Sequence, residues 1–356
     1  MRFGATKEFY PKDVKQVKKL QAKAKKHGIG LLNVRHKHLG SDKLKKIIKR
    51  FVDNLKDFGV KFMLNTEVKE FLIKGKTCHG VILKNNKKIK AKHIIACPGR
   101  VGSKWMTEQM KNLGADIKHR GIEIGIRVEA PSKIMKHVTD YIWDPVFFMK
   151  TDKYKDYVRT FCCCPGGYVA QETYHNFIGV NGYCRKDRKS KNTNFALLVN
   201  VKLTHPAEDT IAYGESIARV ATTIAGGKPF IQRLDDLKLE RRSYWDRINK
   251  SKVKPTLRKA TPGDLSMAIP HRIVTNLTDA LKQLDKVMPG LYKDILIYGP
   301  ELKFFSVRVK TNKRLETEIN NLFVAGDGVG VCGNIIGAAA TGCIAARGVL
   351  KEKSYK

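Results

Sequence analysis

Apolar positions recur along this chain with two different periods, and the switches between them mark out its elements. Leu44, Ile47, Ile48, Phe51, Val52, Leu55 and Phe58 fall at i, i+3, i+4 and i+7, the spacing of a helix with one apolar face. Ser41 or Asp42 can cap its start, and Gly59 follows its end. An earlier helix is predicted over 12–27, where Val14, Val17, Leu20 and Ala24 lie opposite lysines and Gly28-Ile29-Gly30 closes the run. After the second helix the pattern predicts three strands: 60–64 with an extension to 68, then 78–83, then 89–96. Asn85-Asn86-Lys87 turns between the last two, giving a small meander.

Beyond a helix predicted over 104–113, Gly121-Ile122-Glu123-Ile124-Gly125-Ile126-Arg127-Val128 alternates apolar and polar residues. That is the pattern of a half-buried strand, and it opens a second, β-rich domain. Strands are predicted there over 157–164, 168–172, 177–182 and 196–203, with a helix over 210–225 ended by Gly226-Gly227. Residues 228–262, charged and carrying Pro229, Pro255 and Pro262, read as an excursion over the surface. A helix is predicted over 275–287, and the chain then returns through 302–309 and Thr311-Asn312-Lys313 to the last stretch. No internal repeat is found.

The last stretch concentrates the candidate chemistry. Leu322-Phe323-Val324-Ala325 is a short apolar run of the buried parallel-strand type. Gly326-Asp327-Gly328-Val329-Gly330 follows, then Gly333-Asn334, then an Ala/Gly-rich helix whose larger apolar members are Ile335, Ile336 and Ile344. Strand, glycine turn and helix N-terminus together aim backbone N–H groups at a phosphate or another electron-rich group. Glycines at 326, 328, 330 and 333 would let a ligand approach the backbone. Ala338, Ala339, Gly342 and Ala345 would let the helix lie close to its sheet. This is not the ordinary dinucleotide fingerprint, which needs a further strand with an acidic residue about 20 positions on.

The whole string from Asn321 to Ala346 resembles the C-terminal flavin motif of two-domain FAD-dependent oxidoreductases. The resemblance implies that Asp327 holds the ribityl or pyrophosphate region and that the N–H groups near Gly333 and Asn334 face the isoalloxazine or a phosphate. Ile94-Ile95-Ala96-Cys97-Pro98-Gly99-Arg100 is similar to the segment of those proteins that passes beside the adenosine and pyrophosphate. Ala96 and Gly99 would line it, with Val68 as an adenine contact. Phe161-Cys162-Cys163-Cys164-Pro165-Gly166-Gly167, Val180-Asn181-Gly182-Tyr183, Arg185, Arg188 and Asn194 to Val199 look like the uncharacterised FAD-dependent dehydrogenase family. That family is a bacterial and archaeal group of the glutathione-reductase-like flavoprotein superfamily, and the likeness covers most of residues 1–350 in order.

The fold class this implies is α/β. A partial Rossmann-like FAD-binding domain with a β-meander would span 1–120 and 311–356, and a β-rich α+β substrate or cap domain would span 121–310. The implied cofactor is FAD, with NAD(P)H as electron donor and a small-molecule substrate of unknown identity. Members of the superfamily carry a G-x-G-x-x-G strand–turn–helix at their N-terminus, and the N-terminal part of this chain has none. The expectation is therefore the C-terminal two-thirds of a flavoprotein, a truncated form that binds FAD weakly by itself and works with a complementing chain carrying that motif. A non-enzymatic remnant is the alternative.

Composition changes this picture in three places. With 356 residues and 42% hydrophobic content, two domains with real cores are possible and general disorder is excluded. No apolar run approaches the length of a membrane span, and residues 1–8 have no signal-peptide core, so a cytoplasmic location is expected. The eight cysteines show no C-x-x-C pair and no zinc spacing, so no metal is expected. Cys162 and Cys164 lie two apart on a predicted strand and share a face. They are read either as packing or, facing a flavin, as a redox partner or nucleophile, without the spacing of the disulfide reductases. Arg185 and Arg188 flank Lys186-Asp187 and are read as a solvated loop or as holders of an anionic substrate or phosphate. His175 and His271 show no partner, and no general base is assigned.

The formal charge of +36 favours polyanions, which makes an RNA-associated flavin-fold protein a second reading. The lysines, however, are spread along the whole chain and are not interleaved with aromatics as on a single-strand platform. That is the distribution of solvated faces.

Overall fold

The strand that begins at Ile122 lies inside the molecule's largest sheet. The computed structural model describes residues 8–118, 121–174, 176–185, 188–203, 209–303 and 308–350; His175 and the Lys186-Asp187 pair lie outside the described residues. The sheet has eight strands, in the order Gly30–Leu32, Val146–Lys150, Tyr157–Pro165, Asn192–Val201, Ile122–Pro131, Leu296–Lys303, Phe230–Arg233 and Thr261–Pro262. Its neighbours pair antiparallel from Gly30–Leu32 as far as Asn192–Val201 and again from Ile122–Pro131 to Phe230–Arg233. The last two strands are parallel, so the sheet is mixed and the class is α/β.

Ile122, Ile124, Ile126, Val128 and Ala130 fall on one side of their strand and are buried. The alternating pattern predicts solvent on the other side, and there the structure differs. Glu123, Arg127 and Glu129 are buried too. The reason is a second layer: the hairpin of Tyr168–Thr173 with Ile178–Tyr183 packs over the neighbouring strands Leu296–Lys303 and Asn192–Val201. The segment around Thr256 closes on Glu129 from the same side. Helix His271–Asp285, with Ile273, Leu277, Leu281 and Leu284 buried, packs against Asn192–Val201 and Tyr157–Pro165.

Contacts divide the chain into two units. The first holds the large sheet and, unlike the predicted division, the residues before 61. Helix Val14–Lys26 buries Val17 and Ala24 and leads into Gly30–Leu32, which pairs with Val146–Lys150. Helix Leu44–Asp57 forms where the periodicity places it yet buries none of its residues. Residues 228–262 are less irregular than predicted. They supply the sheet strand Phe230–Arg233 and helices Leu234–Lys238 and Trp245–Lys250, because Phe230, Ile231, Leu234 and Leu237 all point into the interior.

The second unit is formed by the described residues of 61–122, 202–211 and 304–350. The meander is Val68–Lys74, Thr77–Leu83 and Lys88–Lys90. No strand forms over 60–64; the first one starts at Val68. The strand predicted over 89–96 breaks in two, since the chain leaves the meander after Lys90 and Ile94–Ala96 joins Leu322–Val324 in a parallel pair. Along the return predicted over 302–309, Leu302 and Lys303 end strand Leu296–Lys303 and Arg308–Val309 pairs with Ile117–Lys118; residues 304–307 lie outside the described residues. Helices Ser103–Asn112 and Ile335–Val349 complete the unit. Among the described residues no helix is long and apolar enough to cross a membrane.

Candidate functional site

In the second unit the parallel pair sets Leu322 opposite Ile94 and Val324 opposite Ala96. Leu322 and Val324 enter a core with Phe71, Cys78, Met106 and Met110. Phe323 and Ala325 face the other way and meet Ala345 of helix Ile335–Val349. This register brings the two turns beyond the strands together. The Ala325 N–H donates to the Ala96 carbonyl at 3.1 Å. Gly328 rests on Gly99, where a Cβ would stand 2.0 Å from the Gly99 carbonyl oxygen. Arg100 Nε donates to Asp327 Oδ2 at 2.9 Å. The Gly326 N–H, at a residue with φ of 88°, donates to the Thr341 hydroxyl at 3.0 Å. Asn334 caps the helix, its side chain accepting the Gly337 N–H at 2.7 Å.

Gly326, Asp327, Gly328 and Gly330 are thus brought to the Ala96–Gly99 bend, with Gly333 and Asn334 at the start of the helix. Two details depart from the glycine reading. Gly328 is required already by the Gly99 backbone, and the Asp327 carboxylate is held by Arg100, a residue given no role from sequence. Val68 heads the first meander strand opposite Leu83, and the next carbonyl, that of Lys69, accepts from Trp105 Nε1 at 2.8 Å. A cavity of about 430 Å³ lies on the Phe323 side of the pair, lined by His93, Arg314 and Asn321 among others, and not by the Asp327 turn.

A second cluster lies in the large sheet, around the fully buried Arg127. Its Nε donates to Asn194 Oδ1 at 2.8 Å and its Nη2 to the Cys162 carbonyl at 2.6 Å. Its Nη1 reaches both Glu301 carboxylate oxygens at 3.4 Å, and Lys303 Nζ lies 3.3 Å from the same carboxylate. Nη2 also lies 3.5 Å from Cys164 Sγ. Gly182 leaves the room for this, since a Cβ there would be 1.7 Å from Nη2. Burial, the largest influence, disfavours the guanidinium charge, but Glu301 together with Cys162 and Cys164 outweighs it and holds Arg127 above the ordinary arginine range. Along the same strand, Arg159 pairs twice with Glu123 at 2.6 Å. Glu129 accepts from Asn192 Nδ2 at 3.0 Å and from the Tyr298 hydroxyl at 2.7 Å.

Cys162 and Cys164 belong to this cluster. Cys162 sits at a φ of 49°, beside a register shift between Asn194 and Ala196, and turns its carbonyl to Arg127. Its hydrogen bond with the Cys164 thiol, then burial, raises its pKa well above the usual thiol value. The Cys162 contact acts to lower Cys164, but the Cys184 thiol and burial push it up to about 12. Both shifts disfavour the thiolate that a nucleophile needs. Cys163 points elsewhere; its N–H donates to Asp144 Oδ1 at 2.7 Å, and burial raises both that carboxyl and the Cys163 thiol.

Arg185 is half-buried and Arg188 exposed, with the residues between them outside the described set. His271 opens helix His271–Asp285, its Nε2 3.3 Å from the Thr275 hydroxyl. Sequence reasoning missed Arg127, Asn194 and Glu301. The available signal was a cation embedded in an apolar alternation, which reads equally well as a solvent-facing position.

Comparison with known proteins adds the following. The profile of a family described as "FAD-dependent protein, C-terminal domain-like" matches residues 121–303, just over half of the chain. An uncharacterized protein of Clostridium beijerinckii (strain ATCC 51743 / NCIMB 8052) is 24% identical over 342 residues, an alignment covering 88% of this chain and 62% of that protein. The chain therefore spans less than two thirds of this relative's length. Among solved structures, L-proline dehydrogenase from P. horikoshii is 15% identical, with a TM-score of 0.40, over 87% of this chain and 56% of that one. An oxidoreductase from Methanosarcina mazei is 13% identical, with a TM-score of 0.36, over 86% and 54%.

Proposed function

Because the chain belongs to the FAD-dependent protein, C-terminal domain-like family, we propose that it supplies one wall of the FAD site of a flavin-dependent oxidoreductase. The other wall, a parallel strand with its own glycine turn, comes from a complementing chain. The observation that carries this reading is the meeting of the Asp327 turn with the Ala96–Gly99 bend across a parallel pair that is unfinished. Among the described residues Ile94–Ala96 has a single pairing partner, whereas parallel strands ordinarily lie inside larger, doubly covered sheets. Its free side is the natural seat of one more strand.

The residues present fit one side of such a cofactor. At Gly99 and Gly326 the backbone has positive φ, and no atom lies within 4 Å of where a Cβ would stand, so both turns have open space beside them. The N-terminus of helix Ile335–Val349 follows directly, presenting the positive end of the helix dipole. Asp327, oriented by Arg100, would hold the ribityl or pyrophosphate region, and the backbone near Gly333 and Asn334 would face the flavin or a phosphate. When bound, FAD supplies the hydride chemistry, and the chain supplies binding and electrostatics. NAD(P)H is the proposed electron donor, and the substrate is a small molecule for which the exposed Arg188 is a candidate anion contact.

The test is an FAD titration of the purified chain, followed by flavin fluorescence and visible absorbance. Weak binding alone, and stoichiometric binding when a chain carrying the strand and G-x-G-x-x-G turn is added, is the expected result. Stoichiometric FAD on the chain alone would remove the need for a second wall. No binding in the presence of the complement would remove the flavin site.

A further inference from the structure

The stretch from Arg233 to Lys259 is organised by one buried carboxylate. Asp236 accepts from the Ser243 hydroxyl at 2.7 Å, from Arg241 Nε at 2.9 Å and from Arg247 Nη1 at 3.2 Å. Arg233 Nη1 stands 3.8 Å away. Three guanidiniums thus converge on a single negative charge, while the side chains of Arg241 and Arg247 remain 48% and 37% exposed.

The rest of the stretch alternates inward and outward. Ser243, Ile248, Ser251, Val253 and Pro255 are buried, with Ile248 and Val253 packed beside Ile231 and Leu296 of the sheet. Arg241, Arg242, Tyr244, Lys250, Lys252, Lys254, Arg258 and Lys259 all point outward. Between 241 and 259 there are eight Lys/Arg and one acidic residue, Asp246; Glu240 precedes them. Aromatic rings stand among these cations, as they do singly elsewhere, but here beside a dense run of outward Lys and Arg. Arg242 and Arg247 lie 5.1 Å and 5.6 Å from the ring of Tyr244, itself half exposed, and Arg258 lies 5.6 Å from the ring of Trp245.

We infer that this face binds single-stranded nucleic acid. Its outward lysines and arginines would contact phosphates, and Tyr244 with its guanidiniums would stack on bases. Flat cationic groups held beside rings suit base stacking and bidentate phosphate contact, which a cloud of flexible ammonium groups does not. An anionic membrane surface would call for large apolar side chains beside the charges. Between 233 and 262 the exposed ones, besides Tyr244, reduce to Leu239.

The experiment is fluorescence anisotropy of the full chain with a labelled single-stranded RNA oligonucleotide across a salt series, and with DNA of the same sequence. The patch variant is Arg242→Ala, Lys250→Ala, Lys252→Ala and Arg258→Ala; none of these residues touches Asp236. Its control, Lys15→Ala, Lys18→Ala, Lys19→Ala and Lys25→Ala, removes the same charge from the exposed face of helix Val14–Lys26. Expected are a loss of about tenfold or more and a shallower salt dependence for the patch variant, with the control within about twofold of the unmodified chain. Tyr244→Leu, which leaves the charge alone, should lose about fivefold. Arg242→Lys with Arg258→Lys, which keeps charge but not planarity, should fall between. Circular dichroism melting of each variant separates lost binding from lost folding. Equal losses in patch and control, an unaffected Tyr244→Leu, or tighter binding to phosphatidylserine vesicles than to the oligonucleotide would each overturn the assignment.

Discussion

Strand Ile122–Pro131 and helix Ile335–Val349 invert the ordinary relation between hydropathy and burial. The strand carries Glu123, Arg127 and Glu129 and buries all three. The helix carries one charged residue, Arg347, yet leaves Ile335 and Ile336 exposed at 67% and 78%. The difference lies in what each can reach. Every charge on the strand finds an opposite charge or several donors, which is the condition under which buried charge is tolerated. Among the described residues the helix lies on the Phe323–Ala325 side of a short parallel pair and the chain at Arg314 and Leu315, so Ala345 and Gly348 are buried and the rest is not. Burial here follows the availability of a partner surface.

The comparison breaks first at Arg127. Arg127→Leu leaves Glu301 buried beside Lys303 alone, and urea unfolding should show a loss of about 3–5 kcal/mol. Joining it with Glu301→Leu should recover much of that. Wild-type stability in the single variant would mean that the charges are carried passively. Gly182→Ala drives a methyl into the guanidinium, and overpacking of this kind costs about 1–3 kcal/mol, read in the same assay.

A smaller effect belongs to Asp236, and it depends on pH. Burial acts to raise its pKa, but the Ser243 hydroxyl and Arg241, with Arg233 and Arg247, together outweigh it, and the folded value is lowered from the usual aspartate one. Such a carboxylate contributes stability that is complete above its unfolded pKa and is lost as pH falls through the folded one. Asp236→Asn should therefore flatten the acid side of the stability curve while lowering its plateau. An unchanged acid limb would show that the charge of Asp236 plays no part. The smallest effect is expected at the exposed end of the helix. Ile335→Ser with Ile336→Ser should change the stability of the chain alone by no more than about 0.5 kcal/mol while weakening FAD uptake with the complementing chain. A large loss of intrinsic stability would show that these residues are covered after all.

Much of the second unit was legible because its signals are local. A four-residue apolar run, a glycine turn and an Ala-rich helix each name their own conformation, and the string at 94–100 supplied the partner strand. In the large sheet Ile122–Pro131, Tyr157–Pro165 and Asn192–Val201 were legible too, since alternation needs only neighbours, whereas Gly30–Leu32, Val146–Lys150 and Phe230–Arg233 were missed. What alternation cannot say is whether the polar side meets water. Glu301 stands 174 positions from Arg127, and nothing at either place marks the other. The same limit hid the role of Asp236, where a run dense in charge and proline read as surface although Ile248 and Val253 pin it to the sheet. The reverse failure is helix Leu44–Asp57: its periodicity predicted the helix correctly and said nothing of whether anything would pack on it.

The seating of Gly328 on Gly99 ties the ends of two distant chain segments by main chain alone. No rotamer stands between these two glycines, so a push on one is delivered undamped to the other, and a side-chain exchange can act on the corner only beside them, at the Arg100–Asp327 pair. The stiffness of this corner is made by leaving atoms out, and changes that spare the fold must enter from its flanks.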